Sequence, residues 1–388
     1  MTEAKWKKSY LRLHPEAAIK ILEQPFIYHI GKDELYEIDD RAKNFFIRCK
    51  GTSIGEELTD DSQFVQYCLE EEILEILEYP EPINIPVAQS LNPSLRYLEL
   101  QLLHRCNLKC LHCYLGHSQT DKEMPLDDAI KITKEFAEFG GLRLIISGGE
   151  PLLYKNLPQY FEQISDLKVR RVLFTNGTLI NTKNIKNLKV DEIQFSLDGW
   201  NNGHDKLRGT GSFKKTMQGI YTAKEAGIAI SISTMIHRYN LDEFDLMGDF
   251  VEEIGAIDWG IDVLAVTGSL INHQNLAVPY KTAVNFLKYA FGGGYHGSSE
   301  GYTCGRHLIT VMPDGCAVKC GFYSNKPLGN AARSLKNCWL NVKHIPLVEL
   351  ECKDCSAIEE CKGGCRFRAS HPLGPDPVMC YAYGKAKE

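Results

Sequence analysis

Residues 105–116 read RCNLKCLHCYLG, and their three thiols constrain this chain more than any other stretch. Cys106, Cys110 and Cys113 follow a C-x3-C-x2-C spacing, with Tyr114 directly after. Thiolates are soft ligands suited to iron–sulfur clusters. A cubane cluster has four irons, and this stretch supplies only three thiolates, so one iron is left for a small molecule to chelate. A cluster that only carries electrons is expected to take four Cys ligands. The apolar segment Tyr97–Leu103 predicts a strand that runs directly into this loop.

Bulk properties narrow the classes. At 388 residues the chain is long enough for two or three domains and a sizeable core. A net charge of −6 gives no basic footprint, which argues against nucleic acid as a partner. No apolar run is long enough to span a bilayer, and MTEAKWKKSYLRLHPEAA lacks the apolar segment of a signal peptide. These features argue against a membrane partner and for a cytoplasmic location. The 14 cysteines of such a chain point to metal rather than disulfides. Cys49, Cys68, Cys316 and Cys338 fall outside the two patterned clusters and are expected to be core or unligated thiols.

Strand and helix patterns alternate after the cysteine loop. Pro125–Phe139 reads as a helix, then Leu142–Ser147, Val169–Thr175, Glu192–Leu197 and Ile228–Met235 as strands, with a helix at Ser212–Ala226. Ile261–Val266 is a sixth strand and Tyr280–Ala290 a final helix. Such alternation implies a parallel sheet, and six units make an open (β/α) barrel whose site lies at the C-terminal ends of the strands. Motifs fall at those ends. Ser147-Gly148-Gly149-Glu150-Pro151 closes the second strand, where adjacent glycines allow close backbone approach to a ligand ammonium. Thr175-Asn176-Gly177 closes the third. In FSLDGWNNGHDKLRG, Ser196 and Asp198 point to one side of the fourth strand, and His204 and Asp205 are expected to support its loop.

The N-terminal ninety-five residues differ in character. Phe26–Ile30 and Leu35–Ile38 alternate around the turn Gly31–Glu34 and predict a hairpin. Helices are predicted at Arg41–Cys49, at Ser53–Leu58 behind a Ser N-cap, and at Asp61–Leu77 behind an Asp/Ser N-cap. A hairpin followed by three helices is a winged-helix-like arrangement. Its acidic runs, EELTDD and LEEEILE, do not suit a phosphate-facing surface. YPEPINIPVAQSLNP reads as a proline-spaced linker. FGGGYHGSSEGYTC reads as a glycine- and serine-rich bridge into the last ninety residues. There Cys304 and Cys320 precede CKDCSAIEECKGGC, with Cys352, Cys355, Cys361 and Cys365, and Cys380 follows.

The three-thiol spacing, its aromatic neighbour and the GGEP at the next strand end resemble the radical S-adenosylmethionine (SAM) superfamily. The resemblance implies that Cys106, Cys110 and Cys113 hold a 4Fe–4S cluster whose open iron binds the SAM amino and carboxylate groups. It further implies that Tyr114 and Asn176 approach SAM, and that Gly148, Gly149 and Glu150 take the methionyl amine. Ser196 would contact the ribose, with Asp198 beside it. Arg208 would face the carboxylate, which its fork of donors suits. Met235 would wall the adenine. The C-terminal seven-cysteine order resembles the SPASM extension of such enzymes. It implies two auxiliary 4Fe–4S clusters, an outer one on Cys352, Cys355, Cys361 and Cys380 and an inner one on Cys304, Cys320 and Cys365. GYHGSSEGYT holds no further thiol, so the inner cluster has an open iron or is completed by Cys316 or another donor. Residues 10–80 are similar to the PqqD-like domains that recognise precursor peptides by adding a leader strand to a sheet edge.

The expected fold is thus α/β: a partial (β/α)6 TIM barrel at 96–295, after a winged-helix-like domain at 1–80 and a linker at 81–95, and before a Cys-rich SPASM domain at 296–388. The expected function is reductive cleavage of SAM to a 5′-deoxyadenosyl radical that matures a ribosomally made peptide. A crosslink such as a thioether is favoured, with electrons from an external flavodoxin- or ferredoxin-type donor. Two alternatives stand beside it: oxidation of a protein Cys or Ser, as by anaerobic sulfatase maturases, and a non-catalytic iron–sulfur carrier or redox regulator. A carrier would have no use for the GGEP and SLDG…R set. No catalytic base is named by the sequence.

Overall fold

The computed structural model describes residues 4–116, 121–292, 294, 296 and 301–386. The chain divides into two compact units. One comprises Met1–Arg96 with Lys134–Arg143 and Asp166–Arg170; the other comprises Tyr97–Thr133, Leu144–Ser165 and Arg171–Glu388. No helix among the described residues is long and apolar enough to cross a membrane.

The first unit holds strands β1 (Tyr10–Leu13), β2 (Ala17–Ile21), β3 (Pro25–His29), β4 (Glu34–Glu37), β5 (Lys50–Ile54), β6 (Leu74–Leu77) and β7 (Val87–Gln89). They form two sheets, ordered β5-β1-β6 and β4-β3-β2-β7. The expected hairpin is β3–β4, with Phe26 opposite Glu37 and His29 opposite Glu34. Helix α1 spans Ala4–Lys7, α2 Asp40–Arg48, α3 Gly55–Leu58 and α4 Ser62–Glu70. Asp39 caps α2 by accepting from Ala42 N at 2.7 Å, and Asp61 caps α4 by accepting from Phe64 N at 3.0 Å. Phe45 and Phe46 of α2 and Val65 and Cys68 of α4 pack with Trp6, Leu11 and Leu74 in one apolar core.

Three expectations change here. The helix predicted over Asp61–Leu77 ends at Glu70; Glu72 turns the chain at φ +57°, and Leu74–Leu77 instead pairs with β1. The helix predicted at Ser53–Leu58 starts only at Gly55, with no side-chain cap, because Ser53 lies in β5 beside β1. The linker carries β7, which adds parallel to β2. In each case a long-range strand pairing overrides the local signal.

The second unit is built on a sheet ordered β13-β12-β11-β10-β9-β8-β14-β15-β16. Its strands are β8 (Tyr97–Gln101), β9 (Arg143–Ser147), β10 (Arg170–Thr175), β11 (Glu192–Ser196), β12 (Ala229–Ile236), β13 (Asp258–Val263), β14 (Leu308–Val311), β15 (Cys316–Val318) and β16 (Gly329–Asn330). The six expected strands are consecutive neighbours, and β10 through β13 pair in parallel. Helices α5 (Leu126–Glu138), α6 (Leu157–Gln163), α7 (Asn202–Arg208), α8 (Ser212–Glu225) and α9 (Phe244–Ile254) alternate with them. The final helix is irregular: Tyr280–Ala283 is α-helical and Val284–Tyr289 is 3-10. The glycine- and serine-rich bridge lies partly outside the described residues. β14 extends the sheet parallel to β8, with Thr310 opposite Glu99.

Within the first unit, Lys20 of β2 is fully buried. Its Nζ donates to Lys168 O at 2.6 Å and Gly141 O at 3.0 Å. Burial, then the charge of Lys168, lowers its pKa from 10.5 to about 7. Between those values the unfolded chain binds a proton that the folded chain does not. Stability from this residue is therefore complete above 10.5 and is lost as pH falls toward 7. Urea titrations read by hydrogen exchange over 17–37 should show wild type gaining stability relative to Lys20→Met between pH 7 and 10. A difference that stays flat with pH would contradict this account of Lys20.

Candidate functional site

The loop after β8 is fixed by backbone contacts that only glycine permits. Gly149 N donates to Leu103 O at 2.8 Å and Glu150 N to Arg105 O at 3.0 Å. A Cβ on Gly148 (φ +132°) would lie 2.2 Å from Leu103 O, and one on Gly149 2.3 Å from Arg105 O. GGEP thus lets the end of β9 lie flush against the chain leading to the thiols. On the other side, Asn176 Nδ2 donates to Asn107 Oδ1 at 2.9 Å, Asn107 Nδ2 donates to Thr178 Oγ1 at 2.8 Å, and Leu111 N donates to Leu207 O at 3.0 Å.

These contacts gather the sequence-predicted residues around one cavity of about 260 Å³. Cys106, Cys110 and Cys113 line it with Tyr114, Gly148, Gly149 and Asn176; Ser196, Arg208 and Met235 line it from later strands and helix α7. Burial pushes the Cys110 thiol up to about 11, an effect that Arg208 opposes. Among the described residues no group of three or more His, Cys, Asp or Glu side chains is arranged around a single ion. The fit to a cluster therefore rests on the donor set: three soft thiols on one cavity wall, which a metal must deprotonate to bind.

Two predicted residues stand one layer behind the wall. Glu150 is buried and accepts from Thr175 Oγ1 at 2.8 Å, Asn176 N at 3.0 Å and Leu152 N at 3.1 Å. Burial raises its pKa to about 7 despite these donors. Asp198 is also buried. Its carboxylate pairs with Arg208 Nε and accepts from Met235 N at 2.7 Å, and its carbonyl accepts from Asn240 Nδ2 at 3.0 Å. Despite burial, Arg208 and the other groups around it hold its pKa well below the usual carboxylate range. Asp198 thus aims Arg208 and Met235 rather than facing the cavity. His204 Nδ1 accepts from Asp198 N at 3.2 Å. Asp205 accepts from Gly211 N at 2.6 Å and Phe213 N at 2.8 Å. Both brace the loop, as expected.

Sequence reasoning missed several cavity residues: Glu99, His112, Ser233 and Phe322. The signal for Glu99 was available, since one carboxylate interrupts the apolar run YLELQ.

The C-terminal cysteines also separate in space. Cys352, Cys355, Cys361 and Cys380 line one small cavity of about 20 Å³ with Asp376 and Met379. Cys304, Cys320 and Cys365 form a second set. Burial raises Cys320 to about 12, and the charges of Cys304 and Cys365 act in the same direction. Cys304 Sγ accepts from Arg366 N at 3.4 Å. Cys316 lies on β15 opposite Asn330, and its thiol is raised by burial and Asp314. Aromatic rings join this set to the first cavity: Tyr114 packs on Phe322 at 5.6 Å, and Phe322 stacks on Phe367 at 4.9 Å.

Two substitutions test this construction. Gly148→Ala forces a Cβ into Leu103 O and is expected to lower iron uptake by the amount one cluster carries. Iron and sulfide assays on reconstituted protein read this directly. Asp198→Asn leaves Arg208 buried without its counter-charge and should cost about 3–5 kcal/mol in denaturant unfolding. Wild-type values for either variant would contradict the geometry.

Comparison with known proteins follows the same lines. Residues 100–251 match the family model of the Radical SAM superfamily. Fe-coproporphyrin III synthase of Methanosarcina barkeri is 32% identical over 158 residues, 39% of this chain and 40% of that protein. AdoMet-dependent heme synthase of Nitratidesulfovibrio vulgaris is 26% identical over 75% of this chain and 93% of that protein. Other curated relatives are spanned over 47% to 66% of their length. Streptococcus suis SuiB bound to S-adenosylmethionine superposes with a TM-score of 0.68 over 95% of this chain and 99% of its own, at 17% identity. The anSMEcpe structure with bound AdoMet gives 0.58 over 74% of this chain and 91% of its own, at 21% identity. At these identities the two structures speak for the fold. The match over 100–251 falls on the segment that carries the thiols and GGEP, and this part of the chain is similar to the radical SAM superfamily.

Proposed function

We propose that the chain is a radical SAM maturase of a ribosomally made precursor peptide. The observation that carries this is the single cavity where the three thiols meet Gly148, Gly149, Ser196, Arg208 and Met235. Cys106, Cys110 and Cys113 would hold a 4Fe–4S cluster, and SAM would lie against the glycine backbone and Arg208. When bound, the reduced cluster and SAM supply a 5′-deoxyadenosyl radical that abstracts a hydrogen atom from substrate. The protein's share is to hold SAM, exclude water and aim one C–H bond. Asp198 keeps the Arg208 guanidinium turned to the cavity, and Met235 gives an apolar wall.

Peptide as substrate is supported by the likeness to SuiB, which extends to a structure bound to its precursor peptide SuiA over 95% of this chain. The likeness to anSMEcpe likewise includes a structure with a bound Cp18Cys peptide. The first unit offers a place for a leader. β4 is the outer strand of its sheet, with Leu35 and Tyr36 half-buried, and α4 carries an exposed Tyr67. A leader added at β4 would use unpaired backbone groups, in the manner of a PqqD-like domain. Tethering by the leader would raise the local concentration of a weakly bound core. The two C-terminal cysteine sets would hold auxiliary 4Fe–4S clusters, and we favour crosslink formation, such as a thioether, as the outcome. A flavodoxin- or ferredoxin-type protein would supply electrons.

Anaerobic, reconstituted and reduced protein should convert SAM to 5′-deoxyadenosine, and Cys106→Ser should abolish this. Coexpression with a short neighbouring reading frame should then change that peptide's mass, most simply by the loss of two hydrogens per crosslink. Turnover of a tetrapyrrole with no change in any peptide would favour the activity for which the heme synthase relatives are named. No 5′-deoxyadenosine from fully loaded protein would overturn the proposal.

A further inference from the structure

Among the described residues, Glu99 is the one carboxylate lining the cavity. It lies in the middle of β8 and is half-buried. Its Oε1 accepts from Ser147 Oγ at 2.7 Å and from Gln101 Nε2 at 3.2 Å, and its Oε2 accepts from Thr310 Oγ1 at 2.8 Å. Every one of these donors is neutral. The cations nearby are engaged elsewhere or face solvent: Arg208 pairs with Asp198, Arg105 with Glu123, and Lys109 is exposed. No described Lys, Arg or His forms an ion pair with Glu99.

A carboxylate withdrawn from bulk water needs either a counter-charge or neutralisation. Three donors from β8, β9 and β14 fix its plane, and the neutral hydroxyl of Tyr114, another cavity residue, also hydrogen-bonds to it, so its negative charge is left without a counter-charge at the cavity wall. Glu99 is not a helix cap, and among the described residues no cation forms an ion pair that requires it. Held in place before any ligand arrives, it is arranged as a binding group.

We propose that Glu99 is the counter-ion for a positively charged group of a ligand in this cavity, a sulfonium or an ammonium. The inference rests on reading the cavity as the SAM and substrate pocket. Two sources could supply the charge: SAM itself, or a cationic side chain of the peptide inserted beside it. Glu99→Gln keeps the shape. Ser147 and Thr310 can rotate their hydroxyls to match the amide, so only the charge is removed.

The test uses reconstituted, cluster-loaded enzyme and titration calorimetry with SAM, with S-adenosylhomocysteine, which lacks the sulfonium charge, and with Nα-acetyllysine methylamide and its norleucine analogue in the presence of SAM. Loss of a charge-assisted contact should weaken binding about ten- to hundredfold. If Glu99→Gln weakens SAM but not S-adenosylhomocysteine, the sulfonium is the partner. If it weakens both while iron content and circular dichroism are unchanged, the cofactor ammonium is. If it weakens only the lysine probe, the substrate supplies the charge. Glu99→Asp should recover part of each effect. If all four ligands bind the Glu99→Gln variant as they bind wild type, the inference is overturned while the cavity assignment stands. If wild type binds no SAM, the cavity assignment falls and takes the inference with it.

Discussion

The structure of the site depends on one close approach between two backbones. The amides of Gly149 and Glu150 reach the carbonyls of Leu103 and Arg105 because the two preceding positions that would block them have no side chain. Each such hydrogen bond contributes only about 1 kcal/mol net. Their importance is positional. They set where the chain leaves β8, and so where Cys106, Cys110 and Cys113 stand relative to the ends of β9 through β12. Glycines here serve the protein's own packing as much as any ligand.

Charge is organised in layers behind that wall. Arg208 lines the cavity with its guanidinium paired to buried Asp198, and the same carboxylate accepts from the backbone of Met235. Glu150, deeper still, ties the end of β9 to the end of β10 through Thr175 and Asn176. Buried carboxylates of this kind stabilise little by themselves. Removing one leaves a costly unpaired group, which makes the arrangement specific. The aromatic contacts Tyr114–Phe322 and Phe322–Phe367 link the first thiol loop to the segment after Cys320 and to that after Cys365.

Much of this was legible in the chain itself. Six strands, their order and the convergence of their ends follow from alternating patterns, and the thiol spacing marks where the chemistry lies. The hairpin at Phe26–Ile30 and Leu35–Ile38 was legible because its turn is local. The β1–β5 and β1–β6 pairings were not, since they join residues 38 to 67 positions apart, from Arg12 with Lys50 to Tyr10 with Leu77. LEEEILEIL has helical composition, yet its Leu74–Leu77 segment completes a sheet around Leu11 and Leu13. The roles of Glu150 and Asp198 were hidden for another reason. A carboxylate next to a motif looks like a ligand contact until burial and partners are known. Glu99 is marked in the sequence as a lone carboxylate within YLELQ, but its hydroxyl partners Ser147 and Thr310 come from distant strands and only the fold brings them together.

The central claim is that the three-thiol loop carries a cluster with an iron open to SAM in this cavity. Its most direct measurement is electron paramagnetic resonance of the reduced protein, made on a variant lacking Cys304, Cys320, Cys352 and Cys355 so that only the first cluster contributes. Adding SAM should shift the g-values of that signal, and methyl-labelled or amino-15N SAM should show hyperfine coupling to it. A spectrum that SAM leaves unchanged, from protein holding a full complement of four irons at this site, would contradict the account.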